Sequence, residues 1–400
     1  TALNGKFYAI KTNSSFAKDT LLEYNGSTWS PYFNDDYEGG YIDSYNNLLI
    51  YRNDFKVSAF DAAGAEIHRV DLNMYTNSDI SRGFVDNAGI FWVADKNNGL
   101  IRFSSNPYDL QKISPNGPRS SAVWAMDSRK GNIWVASGSL SGDAPNFQER
   151  NGTYLFSENS WTTYDRSNDA IYNALVNSGS PALISVAVDP TDPDHAFFAC
   201  WGVGVMETRK TGGVEIYKTT NSSLRGISGL GNYIIAGGLT FDDSNNLWVV
   251  AGGNTSPISV KRPDGSWQSF VIPNADMARF GLYQIIVDDY NQKWFIAKEG
   301  ASHGQGIGVF NENDPNISND DQFRRITADA GQGSLADIYV RSLAKDKDGS
   351  IWIGTDKGIS VIYNPGNVFS ASSFDSQRII IEQDGNAQYL LETEAVSVIT

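Results

Sequence analysis

The nine residues Asp346-Lys-Asp-Gly-Ser-Ile-Trp-Ile-Gly354 contain the pattern that decides the fold. The same pattern recurs at Asp86–Ala94, Asp242–Val250 and Asp288–Ile296, and with one extra residue at Asp127–Ala136. In each copy an apolar stretch ends at Asp, a Gly or Asn follows shortly after, and a second apolar stretch with a Trp begins. Asp can hydrogen-bond the backbone of a turn, and Gly or Asn accepts positive φ there, so each copy predicts a β-hairpin.

Further strands complete each repeat. Degenerate copies of the hairpin occur at Asp43–Ile50 and Asp189–Ala199, and Asn4–Ala9 reads as an eighth copy that lacks its first strand. A Gly followed by apolar residues, as at Gly99–Phe103, predicts a third strand, and a fourth often opens with Trp, as at Trp161. Repeats of four strands spaced by about 40 to 65 residues are typical of propeller blades.

The sequence therefore predicts an all-β protein, a β-propeller of seven or eight four-stranded blades. We expect Ala395–Thr400 to pair beside the strand around Phe7, because exchange of end strands closes such a ring and removes its exposed edges. Seven blades plus one unit of a neighbouring domain is an equal alternative. The predicted single domain covers residues 1–400, with blade units at approximately 1–37, 38–78, 79–116, 117–170, 171–221, 222–275, 276–330 and 331–390, and a closing strand at 391–400.

Eight of the ten tryptophans occupy two recurrent positions of this repeat, which favours packing between blades over a ligand-stacking platform. Only Trp124 and Trp201 fall outside the pattern. The second-strand tryptophans expected to be buried between blades are Trp92, Trp134, Trp248, Trp294 and Trp352, and the fourth-strand tryptophans are Trp29, Trp161 and Trp267.

Composition excludes several classes of function. The formal net charge of −15 disfavours nucleic acid as a partner, and no apolar run approaches the length of about 18 residues that a transmembrane helix needs, so we expect no membrane insertion. The single cysteine, Cys200, excludes an internal disulfide and any multi-Cys metal site. The three histidines, His68, His195 and His303, lack metal-ligand spacing and read as solvated turn or loop residues. We therefore expect no metal, no cofactor and no catalytic residues.

One charge pattern stands out against this acidic background. Arginines recur in the stretch just before the expected innermost strand of five units, namely Arg82, Arg119, Arg225, Arg279 and Arg341. If they converge on one pole of a propeller, their guanidinium groups suit the carboxylate or phosphate groups of an anionic glycan. The alternative is that each Arg bridges an acidic residue of the adjacent blade.

The same pole is expected to carry the long loops between second and third strands. These loops are residues 137–151, 252–257 and 298–306, and the last one contains His303. Long loops on one pole of a rigid ring are a frequent place for recognition. Trp201 follows a second strand, and this position predicts that its ring stacks on a sugar ring. The alternative is that the Trp201 ring packs beneath a neighbouring loop. The predicted ligand-binding residues are thus the five arginines, Trp201 and His303.

The blade signature resembles the two-component-regulator type propeller repeat of Bacteroidetes surface and periplasmic proteins. A longer order of motifs, namely Ile90–Leu100, Ile113–Pro118, Gly131–Gly138, Gly152–Phe156 and Trp161, is similar to the PorZ-like components of the type IX secretion system. Such proteins have two propellers and a C-terminal sorting domain, so the resemblance implies that this chain corresponds to one propeller.

The resemblance implies a non-enzymatic, exported module for ligand binding or protein docking in type IX secretion or cell-surface assembly. Its implied partners are an anionic glycan or lipopolysaccharide and a secretion-system or sortase protein, at the periplasm or outer surface of a Gram-negative bacterium. One alternative is a periplasmic oligosaccharide-sensing propeller of a hybrid two-component system. A third hypothesis is a polysaccharide lyase or glycoside hydrolase.

Overall fold

The chain is all-β and forms two compact units, Thr1–Asn116 and Gly117–Thr400. The structure is a computed structural model, and it describes residues 1–12, 19–34, 40–72, 77–104, 109–113, 116–141, 144–145, 151–179, 182–273, 281–299, 303–317, 319–383 and 386–392. Each unit is built from antiparallel four-stranded sheets, numbered here in chain order.

The first unit contains three such sheets, and in each the strands pair in sequence order. Sheet 1 comprises β1 (Ala2–Leu3), β2 (Lys6–Lys11), β3 (Thr20–Tyr24) and β4 (Trp29–Asn34). Sheet 2 comprises β5 (Tyr41–Tyr45), β6 (Leu48–Arg52), β7 (Lys56–Phe60) and β8 (Glu66–Asp71). Sheet 3 comprises β9 (Ile80–Val85), β10 (Phe91–Asp95), β11 (Gly99–Phe103) and β12 (Gln111–Ile113).

The described part of the second unit contains three four-stranded sheets and one eight-stranded sheet. The eight-stranded sheet consists of two groups of four strands joined by the pairing of Trp201 with Ile235, and these groups are called sheets 5 and 6 here. Sheet 4 comprises β13 (Ala125–Arg129), β14 (Asn132–Ala136), β17 (Thr153–Ser157) and β18 (Ser160–Tyr164), with the short pair β15 (Leu140–Ser141) and β16 (Ala144–Pro145) inserted. Sheet 5 comprises β19 (Ala182–Val188), β20 (His195–Trp201), β21 (Gly204–Arg209) and β22 (Gly212–Tyr217). Sheet 6 comprises β23 (Ile235–Phe241), β24 (Leu247–Gly252), β25 (Ile258–Lys261) and β26 (Trp267–Phe270).

Sheets 7 and 8 follow in the same unit. Sheet 7 comprises β27 (Gly281–Val287), β28 (Lys293–Glu299), β29 (His303–Asn311) and β30 (Gln322–Ile326). Sheet 8 comprises β32 (Val340–Lys345), β33 (Ile351–Thr355), β34 (Gly358–Ile362) and β36 (Gln377–Arg378). The remaining elements are helix α1 (Ala170–Asn177), the 3-10 turn Pro365–Asn367, the parallel pair β31 (Gln332–Gly333) and β35 (Phe374–Asp375), and the hairpin of β37 (Ile380–Gln383) and β38 (Asn386–Tyr389).

A hydrogen-bonded Asp–Trp pair explains the sequence repeat. Asp346 accepts hydrogen bonds from the backbone N–H groups of Asp348 (3.0 Å) and Ser350 (2.8 Å), which closes the turn. Its second oxygen accepts from the indole Nε1 of Trp352 at 2.7 Å. The same indole bond joins Asp86 to Trp92, Asp242 to Trp248 and Asp288 to Trp294, each at 2.8 Å. The Gly or Asn of each turn has positive φ, as the sequence predicts.

The hydrophobic cores lie between consecutive sheets of a unit. Neighbouring residues of β20 show the alternation, since Phe198 packs with Trp134 of sheet 4 and Phe197 packs with Val249 of sheet 6. In the same way Trp248 faces sheet 7 and Trp294 faces sheet 8. Side chains of a strand point alternately to its two faces, so one strand contributes to two cores.

The expectation that all five second-strand tryptophans are buried needs correction. Trp134, Trp248 and Trp294 are at most 2% exposed, but Trp92 and Trp352 are only half-buried. Each buried Trp points toward the next sheet of its own unit. Trp92 and Trp352 belong to sheets 3 and 8, and in the described residues no further four-stranded sheet follows these within either unit.

The predicted all-β propeller with four-stranded blades is confirmed, and the described residues form eight groups of four strands, two of which join into one eight-stranded sheet. The expectation that the first repeat lacks its first strand needs correction, because Ala2–Leu3 pairs with Lys6–Phe7. Of the predicted closing strand at 391–400, the structure describes only residues 391–392, which lie in a turn, and the pairing segment Ala395–Thr400 lies outside the described residues. A single ring through residues 1–400 stays a prediction.

Candidate functional site

Trp201 lies at the end of β20 and is 1% exposed. Its ring stacks on Tyr283 of β27, with centroids 5.2 Å apart and planes 17° apart. Gly237 of the intervening β23 allows this contact, since a Cβ there would lie 1.8 Å from the Leu282 carbonyl oxygen and 3.3 Å from the Trp201 ring. The prediction that Trp201 stacks on a sugar is therefore wrong, and its alternative, packing within the protein, is what the structure shows.

Tyr283 begins a series in which aromatic rings and cations alternate across sheets 7 and 8. The Lys298 ammonium lies 5.4 Å from the centroids of both Tyr283 and Tyr339. The Arg341 guanidinium lies 5.1 Å from the Tyr339 centroid. We call these five residues, Trp201, Tyr283, Lys298, Tyr339 and Arg341, the cation–aromatic ladder. Each such contact stabilises a cation over a ring by about 0.5 to 2 kcal/mol, so the positive charges are held in fixed positions.

β-Bulges in two innermost strands orient the ladder. The register of β27 shifts between Tyr283 and Ile285, so Gln284 is left out of the pairing. The Gln284 side chain forms two hydrogen bonds with the backbone of Leu343 in β32. Its amide nitrogen donates to the Leu343 oxygen at 2.7 Å, and its amide oxygen accepts from the Leu343 nitrogen at 2.9 Å. The register of β32 shifts in the same way around Arg341. A bulge leaves one residue out of the pairing and re-aims its side chain. Arg341 accordingly has an exposed side chain although it lies in an innermost strand.

Two carboxylates accompany the ladder. Asp356 forms an ion pair with Arg341, and this hydrogen bond raises the pKa of the guanidinium. Asp337 pairs with Lys357 at 3.0 Å. Burial alone raises the pKa of Asp337, but hydrogen bonds from the Tyr339 backbone and Lys357 hold it below its usual range. Lys298, Arg341 and Lys357 thus carry three positive charges beside these two negative ones.

The predicted arginines do not occupy one common repeat position. Arg82 and Arg341 lie within the innermost strands β9 and β32, whereas Arg119 and Arg225 precede β13 and β23, and Arg279 lies outside the described residues. Equivalent positions to the Arg341 bulge are held by Gln284 in β27 and Gly237 in β23. The sequence pattern groups the five arginines because each stands before an apolar stretch. Bulges and loop lengths place the described arginines at different positions of the repeat.

Carboxylates pair with three of these arginines. Arg119 pairs with Asp165, next to its own sheet, and Arg341 with Asp356. Arg82 lies 3.9 Å from Asp43 of the preceding sheet, which is the bridging alternative stated above. The Arg225 side chain is exposed, and its backbone oxygen accepts from the Asn254 amide at 3.3 Å. Convergence of all five on one pole stays a prediction.

The long loops contribute in different ways. Residues 252–257 form a self-supporting turn, in which the Asn254 amide also donates to the Ala251 oxygen at 2.7 Å. Much of 137–151 lies outside the described residues, and of His303 the structure gives only the backbone, opposite Glu299 in the β28–β29 pairing. Sequence reasoning missed Tyr283 and Tyr339. A signal for them exists, since each is an aromatic residue beside the start of an innermost strand.

Neither a metal centre nor a membrane helix emerges from the described residues. They contain no group of three or more His, Cys, Asp or Glu side chains placed to hold a metal ion. No helix among them is both long and apolar enough to cross a membrane.

Comparison with known proteins defines the class. The two component regulator propeller family matches residues 334–357, which include the Asp346–Trp352 turn. The chain is therefore a propeller that carries this repeat. No curated protein sequence matches the chain.

Among solved structures the chain has a PorZ-like propeller fold. PorZ is described as an essential bacterial surface component of the type-IX secretion system of Porphyromonas gingivalis, and it matches with a TM-score of 0.65 at 19% identity over 95% of this chain. The chain spans 50% of that structure's length. An extracellular domain assigned to a hybrid two component system of B. thetaiotaomicron matches at 15% identity over 98% of this chain and 54% of the other, with a TM-score of 0.36. Identities this low show the fold alone.

Proposed function

We propose that the chain is a non-catalytic module that binds an anionic ligand outside the cytoplasm, and that the cation–aromatic ladder is its contact surface. The observation that carries this proposal is the fixed position of Lys298 between Tyr283 and Tyr339. Cations that are already ordered lose little side-chain entropy on binding, which favours affinity.

The ligand class follows from these groups. Ammonium and guanidinium groups hydrogen-bond carboxylate and phosphate oxygens, and such groups occur on acidic glycans and on lipopolysaccharide. The PorZ-like fold supports a place at the cell surface, in secretion or surface assembly with a partner protein such as a sortase. The regulator repeat equally fits the alternative of a periplasmic oligosaccharide sensor. An enzyme, the third hypothesis, needs an acid and a base at the ladder, and both carboxylates described there, Asp337 and Asp356, are held in ion pairs.

Binding to immobilised lipopolysaccharide, with neutral dextran as the comparison surface, tests the proposal. We expect saturable binding to lipopolysaccharide alone, weakening as salt rises, because exposed charges are screened over about 10 Å at 0.1 M salt. The Lys298→Gln variant should bind about 10-fold more weakly, since a hydrogen bond to a charged group contributes about 1.5 to 3 kcal/mol.

The matched control is Lys347→Gln, at an exposed lysine in the β32–β33 turn. It should bind like the parent protein. Equal losses in both variants would mean that lysines anywhere on the surface, and not the ladder, attract the ligand. Release of shortened glycan during the measurement would favour the enzyme hypothesis.

A further inference from the structure

His195, at the other end of β20, is buried between two carboxylates. Its Nδ1 lies 3.0 Å from Asp189 Oδ2 and its Nε2 lies 2.8 Å from Glu207 Oε1. Each ring nitrogen of His195 is thus within hydrogen-bond distance of a carboxylate oxygen. The expectation of a solvated loop histidine is therefore wrong, because the degenerate Asp189 turn brings His195 into the sheet.

The carboxylate oxygens around His195 are already used. Asp189 Oδ1 accepts from the Thr191 backbone N–H at 2.8 Å and from its hydroxyl at 2.7 Å. Glu207 Oε2 accepts from the Tyr217 hydroxyl at 2.5 Å. Burial alone would raise the pKa of both carboxyls, but these hydrogen bonds and those of His195 hold them below their usual range. The acceptors at this position are thus saturated.

A cavity of about 260 Å³ opens beside this cluster, between sheets 5 and 6. The cationic side chains that line it have more N–H donors than the described acceptors use. The Lys261 ammonium lies 5.5 Å from the Phe197 centroid and 5.6 Å from that of Tyr217, and it bonds no carboxylate among the described residues. Arg209 and Arg262 also line the cavity. A guanidinium has five N–H donors, and the described contacts use one of Arg209, to Asp192, and one of Arg262, to Gln268.

The cavity is lined by charged side chains and by one hydrogen-bond acceptor that has no partner. The lining brings together the cations Lys261, Arg209 and Arg262 and the carboxylates Asp189 and Glu207. Both carboxylates already accept hydrogen bonds from other groups, so the cations hold the unused hydrogen-bonding capacity. Asn245, which also lines the cavity, has a buried Oδ1 with no hydrogen-bond partner.

We infer that this cavity binds the phosphate group of a small hydroxylated molecule. Three cationic side chains from separate positions suit the several oxygens of a phosphate monoester, and a hydroxyl of the same molecule would donate to Asn245 Oδ1. The cavity volume limits the ligand to a small molecule.

This site is independent of the ladder. His195 and Trp201 are the two ends of the seven-residue strand β20. At about 3.3 Å per residue they lie roughly 20 Å apart. A ligand of this size cannot contact both.

Calorimetric titration of the full chain with inorganic phosphate and with glycerol 3-phosphate tests the inference. We expect saturable binding of both, with glycerol 3-phosphate the tighter because its hydroxyls can reach Asn245. The Lys261→Met variant keeps the apolar contacts with Phe197 and Tyr217 and should bind phosphate at least about 10-fold more weakly, as expected for one charge-assisted bond.

A matched control makes the result decisive. Lys347→Met, at the exposed lysine of another turn, should bind phosphate like the parent. A parent protein with no saturable binding, or a Lys261→Met variant that binds equally well, would overturn the inference. Equal affinity for the two probes would contradict the role given to Asn245. Circular dichroism of each variant establishes that it is folded.

Discussion

The buried ion pair between sheets 6 and 7 gives a sharp test of how the blades are held together. The Lys293 side chain is completely buried, pairs with Glu312 and lies 3.9 Å above the Trp248 ring. Asn291 donates a further hydrogen bond to Glu312, at 3.1 Å. Desolvation lowers the pKa of Lys293, although the Glu312 carboxylate opposes that effect. The pair therefore balances two large opposing energies.

Removal of one partner should cost far more than removal of both. Lys293→Met leaves the Glu312 carboxylate buried with only the Asn291 bond, and we expect a loss of about 3 to 5 kcal/mol in the free energy of unfolding. Glu312→Leu leaves the ammonium with only the Trp248 ring and should cost a similar amount. The double variant replaces the pair by apolar groups and should stay within about 1 kcal/mol of the parent.

Urea denaturation followed by far-UV circular dichroism measures the four free energies of this cycle. The expected coupling between the two positions is several kcal/mol, about the sum of the two single losses. Additive effects, with the double variant the least stable of the four, would refute the reasoning. They would show that the ammonium and the carboxylate do not neutralise each other in the core.

Three further predictions concern stability. Trp294→Ala should cost about 3 to 5 kcal/mol, whereas Trp352→Ala should cost clearly less because its ring is only half-buried; equal losses in urea denaturation would contradict this. Gly237→Ala should destabilise by about 1 to 3 kcal/mol or more, because the new Cβ meets a backbone oxygen, and a melting temperature equal to the parent's would refute it. The pKa values of Asp189 and Glu207 are lower in the folded chain than in the unfolded chain. The two carboxylates therefore contribute fully to the free energy of unfolding above their unfolded-state pKa values of about 4, and this contribution is lost as pH falls through their folded-state pKa values. Glu207→Gln should flatten that acid-side loss, and an unchanged pH profile would argue against it.

Local chemistry made the blades predictable. The Asp, the Gly or Asn and the Trp of one hairpin lie within seven residues, and the hydrogen bonds that join them stay within that hairpin. Because this pattern recurs at blade spacing, turn, strand and fold class follow from the sequence. Where one residue is inserted, at Asp127, the pattern changes: Trp134 donates to the Pro193 oxygen of the neighbouring sheet.

Contacts between residues of different strands could not be predicted from the sequence in the same way. Trp201 was chosen for sugar stacking from its place after a strand, but Gly237 in another sheet decides that it reaches Tyr283. His195 looked like a loop residue because the partners Asp189 and Glu207 that bury it become visible only when strands pair.

The described arginines do not share one repeat position, for a related reason. Bulges shift the register by one residue and change where a side chain points, and the sequence does not mark them. Arg341 therefore enters the ladder, while the other described arginines lie elsewhere in their sheets.

Hydrogen–deuterium exchange with and without lipopolysaccharide tests most directly whether the ladder is the binding surface. The account predicts that added ligand slows exchange in Gly281–Val287 and around Tyr339 and Arg341, where the ladder backbone lies. It predicts no change in the outer strands β22 and β26, and loss of the protection in Lys298→Gln. Protection confined to the outer strands, or protection that persists in Lys298→Gln, would contradict the account.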